Sequence, residues 1–122
     1  MPKRILVIDD ERMITQTTKN LLDRKGYTTV TTLNGKEALD LITHNDFDLI
    51  LCDIRMPEMN GVETAKKIKE LFRKQNKKCA PIIFFTGYAE GNAYDEAQVI
   101  GEILLKPYDM HELLDLVEKC TK

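Results

Sequence analysis

Short apolar runs alternate along this chain with longer stretches in which apolar residues return every three or four positions. A strand covered on both faces of a parallel sheet reads as a continuous apolar run, whereas a helix facing a core is apolar on one side only. Ile5-Leu6-Val7-Ile8 therefore predicts a first strand, and Met13, Thr17, Leu21 and Leu22 predict a helix running to Gly26. Tyr27 to Thr32 is β-branched, and Asn34-Gly35 then turns the chain into a helix carrying Ala38, Leu39, Leu41 and Ile42. Phe47 to Cys52 predicts strand three, Asp53 to Asn60 with Pro57 a loop, and Val62, Ala65, Ile68, Leu71 and Phe72 the stripe of a third helix. Pro81 opens the run Ile82-Ile83-Phe84-Phe85, a short helix is expected between Tyr94 and Val99, and Ile103-Leu104-Leu105 is a fifth strand. Asp109 should cap a last helix whose Leu113, Leu114, Leu116 and Val117 face inward. Five βα units without internal repeats predict an α/β fold, an open parallel sheet doubly wound with helices on both faces.

Length and composition narrow this further. At 122 residues the chain fits one domain spanning 1–122, and 43% hydrophobic with 31% charged residues is the balance of a globular protein. A formal net charge of −2 gives no bulk reason for nucleic-acid binding. Cys52, Cys79 and Cys120 are odd in number and widely spaced, which suits reduced thiols in a cytoplasmic protein better than a disulfide framework. No run approaches the roughly 18 apolar residues of a membrane span.

Ligands of such sheets bind beyond the carboxyl ends of the strands, near the point where strand order reverses. Strand one ends in Asp9-Asp10, strand three in Asp53, strand four in Thr86-Gly87 and strand five in Lys106-Pro107. Three carboxylates in one small crevice disfavour one another's ionisation, and a single lysine offsets only part of that charge. A hard divalent cation resolves the conflict, and Mg2+ suits a site of one or two carboxylates, waters and a phosphate. With the metal present, an ionised Asp53 can approach a phosphoryl donor and form an aspartyl phosphate, while Lys106 and the Thr86 hydroxyl contact the phosphoryl oxygens.

Taken singly, each of these residues has a plainer role. Asp9-Asp10 can cap a helix, Asp53 can open the turn before Pro57, Lys106 can be a solvated strand-edge lysine and Thr86 an ordinary β-branched strand residue. The basic run Lys66, Lys67, Lys69, Arg73, Lys74, Lys77 and Lys78 reads as the solvated face of helix three and its loop, and His44 and His111 as isolated surface residues. Met13 and Ile14 fit either the core or a docking surface for a kinase.

The set Asp9-Asp10, Asp53 with Met56-Pro57 and Asn60-Gly61, Thr86-Gly87 and Lys106-Pro107 closely resembles the receiver domains of response regulators, over almost the whole chain. That resemblance implies a flavodoxin-like fold with strand order 2-1-3-4-5 and a phospho-histidine donor on a histidine kinase or histidine phosphotransfer protein. It implies Asp53 as phosphoacceptor, with Mg2+ held by Asp10, Asp53 and the backbone carbonyl of Arg55, and by Asp9 through water. Lys106 would contact the phosphoryl group, Thr86 would move toward it, and the face of helix four, strand five and helix five would shift. The Lys106-Pro107 bond is cis in many relatives. Partners implied downstream are a target protein or a covalently linked output domain, with a dimer formed on phosphorylation as one output. Self-directed phosphoryl transfer and autodephosphorylation, rather than turnover of a substrate, would be its chemistry.

Two departures stand out. Where the family usually has an aromatic residue three positions before the lysine, this chain has Ile103, so that Tyr88 and Tyr94 become candidates to stand in. The stretch from Thr86 to Lys106 is also short and the Lys74 to Ala80 connection long. A receiver that no longer switches, serving as a protein-interaction module, is therefore the alternative reading. Other classes fit less well: a haloacid dehalogenase phosphatase needs a DxDx(T/V) pattern after strand one, which Asp10-Glu11-Arg12 breaks. A flavodoxin needs a hydroxyl-rich phosphate loop where this chain has acids.

Overall fold

In the computed structural model, which describes residues 2–122, five strands and five helices alternate. They are β1 (Arg4–Ile8), α1 (Arg12–Arg24), β2 (Thr28–Thr32), α2 (Gly35–His44), β3 (Leu49–Asp53), α3 (Gly61–Lys74), β4 (Ile82–Thr86), α4 (Asn92–Ile100), β5 (Glu102–Leu105) and α5 (Met110–Thr121). All neighbouring strands pair in parallel, in the order β2-β1-β3-β4-β5. Alternate residues of each strand point to opposite faces, so the sheet separates two cores. Leu6, Ile8, Ile50, Cys52, Ile82 and Phe84 pack with Ile42, Ile68 and Phe72 of α2 and α3. Ile5, Val7, Leu49, Leu51, Ile83 and Phe85 pack with Leu22, Leu113 and Val117 of α1 and α5. This is the doubly wound parallel sheet that the alternation predicts, in the flavodoxin-like strand order that the receiver resemblance implies.

Local chemistry explains most helix starts. Asn34, Asn60 and Asp109 each accept a hydrogen bond from the backbone N–H three residues on, at 2.8, 2.9 and 2.8 Å. At Asn60 the Glu63 carboxylate also accepts from the Asn60 N–H, completing a capping box. By contrast the N-caps of α1 and α4, Glu11 and Gly91, make no side-chain cap hydrogen bond, and Gly91 has φ of 99°.

Three details differ from the sequence expectation. In α1 the buried residues are Thr15, Thr18 and Leu22, while Thr17 is exposed and Met13 is 79% exposed. Thr15 Oγ donates to the Arg12 carbonyl at 2.9 Å, and with its hydroxyl so satisfied its methyl can serve as core. Strand three covers Leu49–Asp53 rather than Phe47–Cys52, because Asp53 pairs with Phe85 and the Ile54 N–H donates to the Phe85 carbonyl at 3.0 Å. Phe47 remains buried, with the Arg4 guanidinium 5.2 Å from its ring centroid. In α5, Leu113 and Val117 are buried, whereas Leu114 and Leu116 are half-buried.

Among the described residues no helix is long and apolar enough to cross a membrane. All three cysteines are free, with Cys52 buried and Cys79 and Cys120 half-buried. His44 and His111 are exposed, as are all seven cationic residues of the α3 run, three of which make surface pairs: Lys66 with Glu96, Arg73 with Glu70, Lys77 with Asp46.

Candidate functional site

The reversal of strand order between β1 and β3 puts the ends of those two strands side by side, and each delivers acid there. Asp9 follows β1 directly, its N–H donating to the Thr32 carbonyl at 3.2 Å, and its side chain is wholly buried. Asp10, next in sequence, is exposed. Asp53 closes β3 and is 5% exposed. Its position depends on Gly61, because a Cβ there would overlap the Asp53 carbonyl oxygen, and the Gly61 N–H donates to the Ile54 carbonyl at 2.7 Å. The first turn of α3 is thereby packed against the end of β3.

Carboxylate oxygens of Asp9, Asp10 and Asp53 lie within 4.8 Å of one another. Lys106, which follows β5, reaches into the group, with Nζ 3.4 Å from Asp53 Oδ1 and 3.5 Å from Asp9 Oδ2. Those separations are long for hydrogen bonds, so the ammonium acts mainly through charge. Asp9 Oδ1 accepts from the Glu11 N–H at 3.0 Å, but Oδ2 is buried without a hydrogen-bond partner. A buried carboxylate oxygen without a hydrogen bond is costly, and the Lys106 ammonium, 3.5 Å away and shared with Asp53, offsets only part of that cost.

Electrostatics agree with the geometry. Burial, reinforced by the Asp9 charge and opposed by Lys106, pushes the Asp53 carboxyl up to about 6. Burial likewise raises Asp9 above the ordinary carboxylate range, against the Glu11 N–H and Lys106. For Lys106 burial disfavours the charged form, yet Asp53 and Asp9 outweigh it and leave the ammonium more basic than usual. Two acids whose pKa burial raises, crowded against a third and sharing one lysine, are a donor set that fits a hard divalent cation.

Thr86 ends β4 and is buried, its Oγ accepting from the Tyr88 N–H at 3.1 Å and lying 3.2 Å from the Tyr88 carbonyl. Ile103 is half-buried in β5, next to Phe84 in the sheet. The Lys106-Pro107 peptide is cis. Arg55 is exposed, its guanidinium carbon 3.8 Å from the Tyr88 ring centroid. Of the two candidate tyrosines, Tyr88 thus adjoins the site, while the Tyr94 hydroxyl accepts from Gln98 within α4. Tyr108 was not singled out by its sequence context. Its ring stacks on Phe85, centroids 5.4 Å apart, and with Met13, Ile14, Met110 and Lys106 it lines a groove of about 430 Å3 between α1 and the start of α5. The signal for it is an aromatic residue two positions after a strand-end lysine.

Comparison with known proteins agrees with this fold. The model of the response regulator receiver domain family matches residues 5–118. Sporulation initiation phosphotransferase F of Bacillus subtilis is 32% identical over 98% of this chain and 94% of its own length. The transcriptional regulatory protein CrdR of Helicobacter pylori is 33% identical over 93% of this chain, which spans only 52% of that longer protein. Among solved structures, the response regulator TrrA of Thermotoga maritima, in complex with Mg2+ and BeF, is 35% identical with a TM-score of 0.83, covering 97% of this chain and 98% of that one. The chain belongs to the response regulator receiver domain family and is a receiver of two-component signalling.

Proposed function

We propose that residues 1–122 act as one receiver domain that accepts a phosphoryl group onto Asp53 from a phospho-histidine of a histidine kinase or histidine phosphotransfer protein, in the cytoplasm and in the presence of Mg2+. The observation that carries this reading is the cluster itself: three carboxylates within 4.8 Å, one buried oxygen without a hydrogen bond, and a lysine 3.4 Å from Asp53. Asp10, Asp53 and the Arg55 carbonyl would hold the cation, with Asp9 acting through water. When bound, Mg2+ supplies positive charge to the phosphoryl oxygens and draws Asp53 into its ionised form.

The chain's own residues do the rest. Ionised Asp53 attacks phosphorus in line as the bond from phosphorus to the donor imidazole breaks. The new group is an acyl phosphate, and the imidazole leaves with the electron pair. Lys106 donates to a phosphoryl oxygen, and the Thr86 hydroxyl turns from the Tyr88 carbonyl to another. Resetting requires water to attack phosphorus, breaking the bond to Asp53 and releasing inorganic phosphate. The cycle modifies the protein itself and turns over no separate substrate, so this is not a conventional enzyme. The groove beside Lys106, apolar and flanked by the exposed Met13, suits the docking of a helical phosphodonor.

Phosphorylation would shift the face of α4, β5 and α5 between two populations, read by a target protein, by a linked output domain or by a second copy. Ile103 carries the second reading, a receiver that binds partners without switching, because no ring stands at that position to reorient.

Labelling tests the assignment. With Mg2+ and a phosphoramidate donor, the wild-type chain should gain one hydroxylamine-sensitive phosphate, and Asp53→Asn should gain none while keeping its circular dichroism spectrum. Undiminished magnesium-dependent labelling of Asp53→Asn would overturn it.

A further inference from the structure

Thr86 and Arg55 share one partner. Thr86 Oγ accepts from the Tyr88 N–H and spends its single proton on the Tyr88 carbonyl. Arg55, two residues beyond Asp53, lays its guanidinium over the Tyr88 ring at 3.8 Å. Tyr88 is therefore held at its backbone by the β4 end and at its ring by the loop that follows the phosphoacceptor. Space is available for it to leave, since Tyr88 is 51% exposed and a Cβ at Gly87 or Gly91 would meet nothing within 4 Å. A cavity of about 550 Å3 also opens between this loop and the loop after β3.

Both anchors answer to the same event. A phosphoryl group on Asp53 carries one more negative charge than the carboxylate and adds acceptor oxygens two residues before Arg55 in the chain. To donate to one of these oxygens the Thr86 hydroxyl must give up the Tyr88 carbonyl. Charge-assisted hydrogen bonds from Arg55 to phosphate are stronger than a cation–π contact at an exposed site, so the guanidinium moves as well.

On the receiver reading set out above, we infer that Tyr88 is the moving aromatic of this domain: a latch held by Thr86 and Arg55 in the unmodified state and released at both points when Asp53 is phosphorylated. Residues 87–91 and the uncapped start of α4 then carry the signal that Ile103 has no ring to carry. Tyr88 is thus a positioning residue for Thr86 and touches no reacting atom.

The test is NMR of the whole chain with Mg2+ and beryllofluoride, following the Arg55 side-chain protons and the tyrosine rings. In the wild type the ring-current shift on Arg55 should vanish and the Tyr88 resonances should move, while those of Tyr27 stay. Tyr88→Leu should still bind beryllofluoride, yet its amide shifts across residues 92–100 should fall to roughly half or less of wild type. Tyr88→Phe should restore them, because the ring and not the hydroxyl is held. Binding with an unmoved Tyr88 ring, or undiminished α4 shifts in Tyr88→Leu, would overturn the latch and leave the site reading intact. Absence of magnesium-dependent beryllofluoride binding to the wild type would remove the site reading, and the latch with it.

Discussion

The two sides of the site are built differently. On the β1/β3 side every strand residue except Arg4 is buried, Gly61 presses α3 against the end of Asp53, and a capping box fixes the helix start. On the other side β4 is just as buried and α5 is capped by Asp109. Beyond the end of β4, however, residues 87–92 are all exposed, α4 buries only Ala97 and starts without a side-chain cap, and β5 buries only Leu104. Buried contacts and caps resist local opening, and their scarcity permits it. The acids are thus held on the rigid side, and the groups that would respond to a new charge sit on the loose one.

A glycine pair breaks or sharpens this contrast most strongly. Gly61→Ala must push its methyl into the Asp53 carbonyl and should cost about 3 kcal/mol in urea unfolding. Gly87→Ala enters open space and should change stability by under about 0.5 kcal/mol. Comparable losses at the two positions would erase the distinction.

The next largest effect belongs to Asp53. Its folded pKa of about 6 exceeds the ordinary 3.8, so the folded state holds this proton more tightly than the unfolded state. The stability this supplies is complete below about pH 4 and lost as pH rises through 6, leaving an ionised, poorly solvated group. Asp53→Asn should therefore stabilise the metal-free protein at pH 7.5 by up to about 3 kcal/mol, and by little near pH 4. Because Asp9 is raised as well and Asp10 and Lys106 share the site, the difference between wild type and variant is the quantity to plot. Mg2+ should narrow that difference, and a variant less stable than wild type at pH 7.5 would contradict the cause assigned to the shift.

A smaller effect is expected at the caps. Asn60→Ala should cost about 1 kcal/mol through the lost capping box, and it should speed amide exchange at the start of α3 toward that of α4. Unchanged exchange there would mean that capping does not set the contrast.

Much of this was readable beforehand, and the reasons are physical. Ile5 to Ile8 and Ile82 to Phe85 are continuous apolar runs because both faces of a central parallel strand are covered. Asp9, Asp53, Thr86 and Lys106 could be named because the sheet topology puts strand ends together whatever lies between them. The buried stripe of α1 is hidden because Met13, Thr17 and Leu21 also recur at helical spacing and as a set are more apolar than Thr15, Thr18 and Leu22, the residues that are buried. The sequence puts Asp53 in a loop because a charged residue at a strand end looks like the turn it precedes, and only its pairing with Phe85 places it in the ladder. The stacking of Arg55 on Tyr88 joins two loops distant in sequence and leaves no periodic trace.

The most direct measurement is the map of amide NMR shifts on adding Mg2+ and beryllofluoride, with Asp53→Asn as control. A receiver that accepts on its rigid side and responds on its loose one should show shifts at Asp9, Asp10, Asp53 and Lys106 that spread through residues 87–105 and spare α2, with none of this in the variant. Shifts confined to the acids, or equally present in Asp53→Asn, would contradict it.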